Sequence, residues 1–309
     1  MTGVQTCALP ILLAPLSDLS TDSARNYALE IITLISELSG VSITAALRQE
    51  IRDALTIFES NPPTKRTLSD FHLLLTTISL KEALATYTKA HGTHCLLDHS
   101  SNLALNSHLT TLECGELLSA PPAESLPVLK QVFHLMEQHF DGNPSAIILD
   151  EAWLMLKEPH FAASLLKWFK TLRKSNVAVI LATQSLSDLH QSPLCENLLD
   201  CVKTRFYLPN YDAPSELVKS AYEHMGLSSY EINLIAKAQP KQDYYFVKNS
   251  ERVMLNLCLN QSLVNLLSFA GSHQRAFIDE LYQQYGALFY RYAQPGDYHR
   301  YRQYHDHSA

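Results

Sequence analysis

The nine residues from Ser145 to Trp153 constrain this chain more than any other stretch. Ile147, Ile148 and Leu149 run directly into two adjacent carboxylates, Asp150 and Glu151. The turn-forming residues Asp141-Gly142-Asn143-Pro144 precede them. An apolar run of this length after a turn reads as a strand buried on both faces. Burying two carboxylates at its end is costly unless a cation, a hydrogen-bond network or a substrate uses them. In open α/β sheets, ligands bind at the carboxyl ends of the strands. Taken alone, the same residues equally suit an apolar strand followed by a solvated acidic turn.

The downstream sequence favours the first reading. From His160 to Lys174, apolar side chains recur at positions 161, 162, 165, 166, 169 and 172. That spacing predicts an amphipathic helix whose basic end, Arg173-Lys174, suits the helix dipole. Ser175-Asn176 breaks it, and Val177–Leu181 reads as a second buried strand ending in Ala182-Thr183-Gln184-Ser185. Strand, helix and strand over about 35 residues form a βαβ unit with parallel strands and a right-handed crossover. Gln184 then falls at the same sheet edge as Asp150 and Glu151. An amide beside a carboxylate pair suits a γ-phosphate sensor; a helix-capping Thr/Gln/Ser turn is the plainer alternative.

These segments carry a resemblance. Ile148-Leu149-Asp150-Glu151-Ala152-Trp153, the run from Trp168 to Asn176, the run from Val179 to Leu189, and Lys203-Thr204-Arg205-Phe206-Tyr207-Leu208-Pro209-Asn210 resemble the C-terminal ATPase domain of the VirB4 family, in its TrbE branch. Similar text recurs at Thr67-Leu68-Ser69-Asp70-Phe71, Leu96-Leu97-Asp98, Pro127-Val128-Leu129 with Phe133-His134, and Asp243-Tyr244-Tyr245-Phe246. The resemblance covers residues 12–270. It implies an α/β fold with a RecA-like P-loop NTPase core: a mostly parallel sheet, helices on both faces, and an inserted all-α lobe.

One departure stands against the matches. A P-loop requires Gly-Lys-Ser/Thr, and none of the nine glycines precedes a lysine. The phosphate cradle is absent, and in the family it lies upstream of the text beginning near Leu12. The chain therefore reads as a truncated copy without the first strand–P-loop–helix unit. Residues 1–11 do not resemble the family and read as a foreign leader. They lack the basic n-region of a secretory signal, and Pro10 and Pro15 flank a short apolar run. The expected divisions are 1–11 leader, 12–90 all-α lobe, 91–270 core and 271–309 terminal helix with a polar tail.

Composition bounds the rest. Hydrophobic content of 46% with 18% charge is globular rather than disordered. No run of 18 apolar residues offers a membrane span. A net charge of −7 argues against a surface devoted to nucleic acid. The six cysteines include no Cys-x-x-Cys pair, as suits reduced thiols better than a disulfide framework.

Within the all-α lobe, the apolar spacing predicts helices over 23–38 and 44–58, one opened by a cap at Thr67-Leu68-Ser69-Asp70, and another over 80–89. Strands are expected at 93–98, 109–114, 202–208 and in a hairpin at 244–247 and 253–259. Helices are expected over 126–140, from Ser192-Pro193, and over 214–225, 229–238 and 272–285. His91, His94, Cys95, Asp98 and His99 have the residue types of a metal site, but neighbours along a strand point to opposite faces. The tail from Tyr298 to His307 interleaves aromatics with bases, as single-strand binders do, and reads better as a disordered or partner-facing terminus.

The resemblance also implies roles. Asp150 would hold Mg²⁺ through a water, with Glu151 orienting or deprotonating the attacking water and both carboxylates lining the ATP site. Gln184 would sense the γ-phosphate. Arg173 would act in trans on a neighbouring subunit, with Lys174 and Arg205 as further candidates. The implied function is ATP hydrolysis powering type IV secretion or conjugal transfer, in a homo-oligomer of two or six. The implied place is the cytoplasmic face of the inner membrane of a Gram-negative bacterium, beside other secretion components and possible DNA. This chain alone is expected to be inactive. A non-hydrolysing scaffold subunit and a DNA-translocating motor of the coupling-protein or HerA/FtsK type are the alternatives.

Overall fold

The computed structural model describes residues 4–7, 12–90, 95–105, 109–150, 166–169, 171–184, 186–191, 195–267, 272–293, 296–298 and 301. They divide into two compact units, Met1–Cys201 and Val202–Ala309. This division differs from the expected one. The helical lobe and the following strands share one core instead of forming separate bodies, and the break falls at Val202, where neither glycine nor proline marks a linker.

The first unit opens with β1 (Val4–Cys7), which pairs in parallel with β2 (Leu109–Leu112), Val4 opposite Leu109. Residues 4–7 of the segment read as a foreign leader form this strand. Four helices follow: α1 (Asp22–Leu38), α2 (Ala45–Phe58), α3 (Leu68–His72) and α4 (Ile78–Ala85). Threonine caps the first three. Thr21, Thr44 and Thr67 accept from the backbone N–H groups of Ala24, Leu47 and Asp70, satisfying donors that have no partner within the helix. For α4 the cap comes from elsewhere in the chain. The Glu50 carboxylate on α2 accepts from the backbone N–H groups of Thr76 (2.7 Å) and Thr77 (2.9 Å) and from both hydroxyls. Burial would raise its pKa, but these bonds outweigh it and hold it down at about 2. This cap explains why α4 begins at Ile78, ahead of the expected position.

The apolar stripes of these helices meet in one core. Ile31, Ile32 and Ile35 of α1, Ile51 and Phe58 of α2, and Phe71 of α3 are fully buried, with Phe58 and Phe71 in edge contact at 5.3 Å. The segment before α1 belongs to the same core. Leu13, Leu16 and Leu19 are buried, and Leu13 donates its N–H to the Leu96 carbonyl at 2.9 Å. The strand expected at 93–98 is not formed by its described residues. Cys95–Leu97 is a single 3₁₀ turn, and residues 91–94 lie outside the described set. The turn buries Leu97 and delivers Asp98 to the backbone N–H groups of Ser69 and Lys89, each at 2.8 Å, and to the Ser69 hydroxyl. Asp98 is a fully buried structural tie that accepts all three of these hydrogen bonds.

After α5 (Gly115–Ser119), α6 (Pro122–Gln138) packs against α1. It starts earlier than the apolar spacing suggests because Pro122 is well placed in a first turn. Pro127 lies inside α6 and has no N–H for the Ala123 carbonyl. The Tyr87 hydroxyl donates to that carbonyl instead, and burial pushes the phenol up to about 12. Tyr27 on α1 donates to the Gln131 side chain at 2.7 Å and stacks on His134 at 3.5 Å.

β3 (Ser145–Leu149) and β4 (Val177–Leu181) pair in parallel, as the βαβ reading requires, with Ser145 opposite Val177 and Leu149 opposite Leu181. Between them, residues 166–169 and 171 are helical and Leu172–Ser175 is a 3₁₀ turn. Two short helices, α7 (Leu186–Gln191) and α8 (Cys195–Cys201), close the unit. Ser192 and Pro193, expected to start a helix, lie outside the described residues.

The second unit holds an antiparallel sheet of β5 (Thr204–Tyr207), β6 (Asp243–Lys248) and β7 (Glu251–Asn256), with α9 (Glu216–His224) and α10 (Ser229–Lys237) between β5 and β6. The described strands thus add an antiparallel sheet to the parallel pairing that was expected. Among the described residues there are two parallel pairs and one antiparallel triplet. The reason is local. The two-residue turn Asn249-Ser250, with Asn249 at φ 54°, joins β6 to β7 as a hairpin, and a hairpin is antiparallel. Beyond it come α11 (Gln261–Leu267), α12 (Ser272–Tyr285) and a 3₁₀ stretch, Gly286–Arg291. Tyr298 and Tyr301 of the tail pack on Phe277 of α12 at 5.6 and 5.1 Å. Among the described residues no helix is long and apolar enough to cross a membrane.

Glu231 is the polar centre of this unit. It forms a capping box with Ser228, accepts from the Tyr245 hydroxyl at 2.7 Å and pairs with Arg252 at 2.6 Å. Burial would raise its pKa, but the bonds from Ser228, Tyr245 and Arg252 outweigh it and bring it to about 2. Burial and donation to Glu231 push Tyr245 up to about 12. The sign follows from linkage: a carboxylate depressed in the folded state stabilises fully above its ordinary value and loses that contribution as pH falls through the folded one. The shift corresponds to roughly 3 kcal/mol. In acid denaturation followed by circular dichroism, the stability gap between wild type and Glu231→Gln is expected to shrink steadily from about pH 5 to about pH 2.

Candidate functional site

The strand ladder defines the edge at which the site residues gather. Leu149 and Leu181 are paired, and the Ala182 N–H donates to the Leu149 carbonyl at 2.9 Å. Pairing therefore continues to the carboxyl edge, where Asp150 and Ala182 are the next residues and Gln184 follows two later. Asp150 and Gln184 are both exposed there. Asp150 directly follows β3, and Gln184 comes three residues after β4. Glu151 lies outside the described residues; it directly follows Asp150 in the chain.

The opposite edge is pinned by backbone. Asn176 adopts the left-handed conformation (φ 59°, ψ 36°), which asparagine tolerates better than other side-chain-bearing residues. Its carbonyl accepts from Ser145 N–H at 3.2 Å, and its amide donates to the Gly142 carbonyl at 3.2 Å. The helical segment before it is anchored on α6. Trp168 is buried edge-on against Phe133 at 4.1 Å, and its indole N–H donates to the Glu137 carboxylate. Leu172 is buried one turn further along. These contacts fix the register in which the chain returns to start β4.

Arg173 and Lys174 are exposed in that 3₁₀ turn. They sit at the amino edge of β3 and β4, a five-residue strand away from Asp150, or about 16 Å at the rise of an extended strand. They are thus apart from the acidic edge of their own chain. Arg205, in the second unit, donates from Nη1 to the Met225 carbonyl at 2.7 Å, and Arg252 reaches the Gly226 carbonyl at 3.2 Å. Both arginines tie the α9–α10 turn to the sheet. That intrachain duty leaves Arg173 the stronger of the arginine candidates.

The structure also shows a surface that the sequence did not reveal. Burial alternates along β3 and β4: Ile147, Leu149 and Val177 point into the core, while Ala146, Ile148, Ala178 and Ile180 are exposed. The expectation of strands buried on both faces is thus corrected. A run of apolar residues on both faces carries no period-2 signal, so the sequence could not tell a covered face from an open one.

The donors at the acidic edge are a carboxylate and an amide oxygen, hard ligands suited to Mg²⁺ and unsuited to soft metals. No family model matches the sequence. Among curated proteins, the chain is 35% identical over 271 residues to a probable conjugal transfer protein TrbE of Sinorhizobium fredii (strain NBRC 101917 / NGR234), covering 88% of this chain and 41% of that protein. It is 36% identical over 276 residues to the conjugal transfer protein TrbE of Rhizobium radiobacter, covering 89% of this chain and 33% of that protein. The chain therefore spans less than half the length of either relative. Among solved structures, VirB4 of Thermoanaerobacter pseudethanolicus superposes with a TM-score of 0.61 at 16% identity, over 81% of this chain and 74% of that one; this likeness shows a shared fold. Nearly nine-tenths of the chain, the parallel β3–β4 pair included, is thus similar to TrbE conjugal transfer proteins, and its fold is similar to that of a VirB4 protein.

Proposed function

We propose that this chain is a portion of an ATPase that drives type IV secretion or conjugal transfer, and that it carries the acidic half of the nucleotide site. The observation that supports this most is the parallel β3–β4 pair, with Asp150 and Gln184 in the segments that leave its carboxyl edge. In this reading the fold is a P-loop NTPase core. Asp150 supplies an oxygen ligand toward Mg²⁺, directly or through a water. When bound, the ion neutralises charge on the phosphates of ATP. Glu151 accepts the proton of the attacking water or orients it, and Gln184 positions that water against the γ-phosphate. Arg173 faces the site of a neighbouring copy, which makes the working form a homo-oligomer, a dimer or hexamer, among other secretion components at the inner membrane.

None of the nine glycines precedes lysine, so these 309 residues contain no phosphate cradle of the Gly-Lys-Ser/Thr kind. The reading therefore assigns little or no hydrolysis to the chain by itself. The test is to join it to the part of Rhizobium radiobacter TrbE that it does not match and follow phosphate release with Mg²⁺ and ATP. Turnover in the usual range of about 1–100 s⁻¹ for phosphoryl-transfer enzymes, lost when Mg²⁺ is chelated, is the expected result. An extended chain that folds and binds Mg²⁺-ATP but releases no phosphate contradicts the reading.

A further inference from the structure

The C-terminal part of the second unit keeps a set of aromatic rings at its surface. Residues 282–309 hold seven tyrosines, three arginines and three histidines against two aspartates, with no lysine or glutamate. The backbone explains how the rings gather. Gly286 lies in the left-handed region at φ 56°, and there the chain leaves α12 for the 3₁₀ stretch Gly286–Arg291, which packs against the same helix. Tyr292 is thereby stacked on Tyr285, with ring centroids 4.0 Å apart and planes 16° from parallel. Tyr282 meets Phe289 edge-on at 5.6 Å, and Phe289 meets Tyr290 at 6.4 Å. The Arg291 guanidinium lies 6.0 Å from the Tyr290 ring centre. Phe277, Leu281 and Ala293 form a small core on which Phe289 packs. Tyr282, Tyr285, Tyr290 and Tyr292 remain between 36% and 47% exposed, and Arg291 is exposed with them. Tyr298 and Tyr301, from the interleaved tail, pack on Phe277 instead.

We propose that the surface made by Tyr282, Tyr285, Tyr290, Arg291 and Tyr292 binds single-stranded nucleic acid. An exposed ring offers a face on which a base stacks, and the Tyr285–Tyr292 pair is a stack already begun. Stacking on tyrosine accepts any base, so the surface tolerates sequence. Arg291 sets a planar fork for phosphate oxygens beside the rings. Charge favours this occupant. Arg291 is the only charged residue from Tyr282 to Tyr292. The acids just before them are Asp279 and Glu280, and Glu280 accepts from the Tyr301 hydroxyl at 3.3 Å. A net charge of −7 over the whole chain argues against a surface devoted to nucleic acid, and it leaves room for one local strip. A duplex fits poorly, because its bases are stacked on one another and show no free face to the rings. An apolar protein surface fits poorly too. Leu288 is the one large aliphatic residue from Tyr282 to Tyr292, beside the exposed Gln283 and Gln284. None of these residues belongs to the proposed nucleotide site, and binding requires no ATP.

The test is fluorescence anisotropy with the 309-residue chain and labelled oligo-dT and oligo-rU of about 12 nucleotides, with a duplex of the same length beside them. The wild type is expected to bind the single strands, more weakly as salt rises from about 50 to about 200 mM, and to bind the duplex at least about tenfold more weakly than either strand. The tighter of the two strands names the source, DNA or RNA. Tyr285→Leu/Tyr292→Leu keeps apolar surface but removes the rings, and is expected to weaken binding about 100-fold. Tyr285→Phe/Tyr292→Phe keeps the stacking faces and is expected to cost about threefold or less. Arg291→Ala is expected to lower the slope of log affinity against log salt by about 0.7, the share of one phosphate contact. Wild-type chain that binds neither strand overturns the proposal, as does a Leu pair that binds like wild type or a duplex held as tightly as a strand. If the Leu pair unfolds, photo-cross-linking of a halogenated-uracil strand to the wild type decides: adducts on 282–292 support the surface, and adducts only elsewhere overturn it. Wild-type dimers that the Leu pair dissolves, with no strand bound, give the surface to a second copy and also overturn it.

Discussion

In the extended, hydrolysing protein, Arg173→Ala is expected to lower turnover about 10³-fold or more, the effect of removing an arginine that stabilises the phosphoryl-transfer transition state. The placement of Arg173 decides how this is tested. It is exposed at the amino edge of β4, about a strand's length from Asp150, and so does not reach the carboxyl edge of its own chain. An arginine acting on a neighbour should be rescued by mixing. Glu151→Gln is expected to be equally inactive by itself, because an amide cannot take the proton of the attacking water. Mixed with Arg173→Ala, it forms interfaces in which an intact Glu151 meets an intact Arg173. Recovery of a substantial fraction of wild-type phosphate release on mixing is the expected outcome. Two dead variants that stay dead together, while still assembling, remove Arg173 from the site. Lys174→Ala is the control, expected to cost far less because a lysine makes no bidentate contact with phosphate oxygens.

Asp98→Ala is expected to cost about 4 kcal/mol of stability, a large share of the roughly 5–15 kcal/mol that holds a domain folded. Asp98 is fully buried and accepts three hydrogen bonds: from the Ser69 N–H and hydroxyl at the start of α3, and from the Lys89 N–H beyond α4. Removing the carboxylate strands those donors away from water, and each unmade buried bond costs about 1–3 kcal/mol. Ser69→Ala deletes only the hydroxyl bond and is expected to cost about 1 kcal/mol. Urea unfolding midpoints for the two variants measure the difference. Equal, small losses from both would show that Asp98 is not the tie that joins the 3₁₀ turn to α3.

Much of the fold could be read from the residues, and the exceptions have identifiable causes. The helices over 22–38, 45–58 and 272–285 follow from 3.6-residue apolar spacing, and the Thr67 cap from its residue type. The βαβ order around Asp150 was legible because length separates its aliphatic strands from the helix between them. The turn at Cys95–Leu97 was not, because its cause is the distant demand of Ser69 and Lys89 on Asp98. The start of α4 depends on Glu50, 26 residues earlier than Thr76. The break at Val202 has no compositional mark. At the candidate site, Asp150 and Gln184 were placed by strand order alone. The open face beside them was hidden because Ile148 and Ile180 are as apolar as their buried neighbours.

The most direct measurement of the central claim is Mg²⁺-dependent ATP hydrolysis by the purified 309-residue chain, wild type and Glu151→Gln. The chain carries the acidic edge without a phosphate cradle, so both proteins are expected to release phosphate at the background rate. Hydrolysis by the wild type that Glu151→Gln abolishes would show that these 309 residues bind and turn over nucleotide by themselves, and would contradict the account.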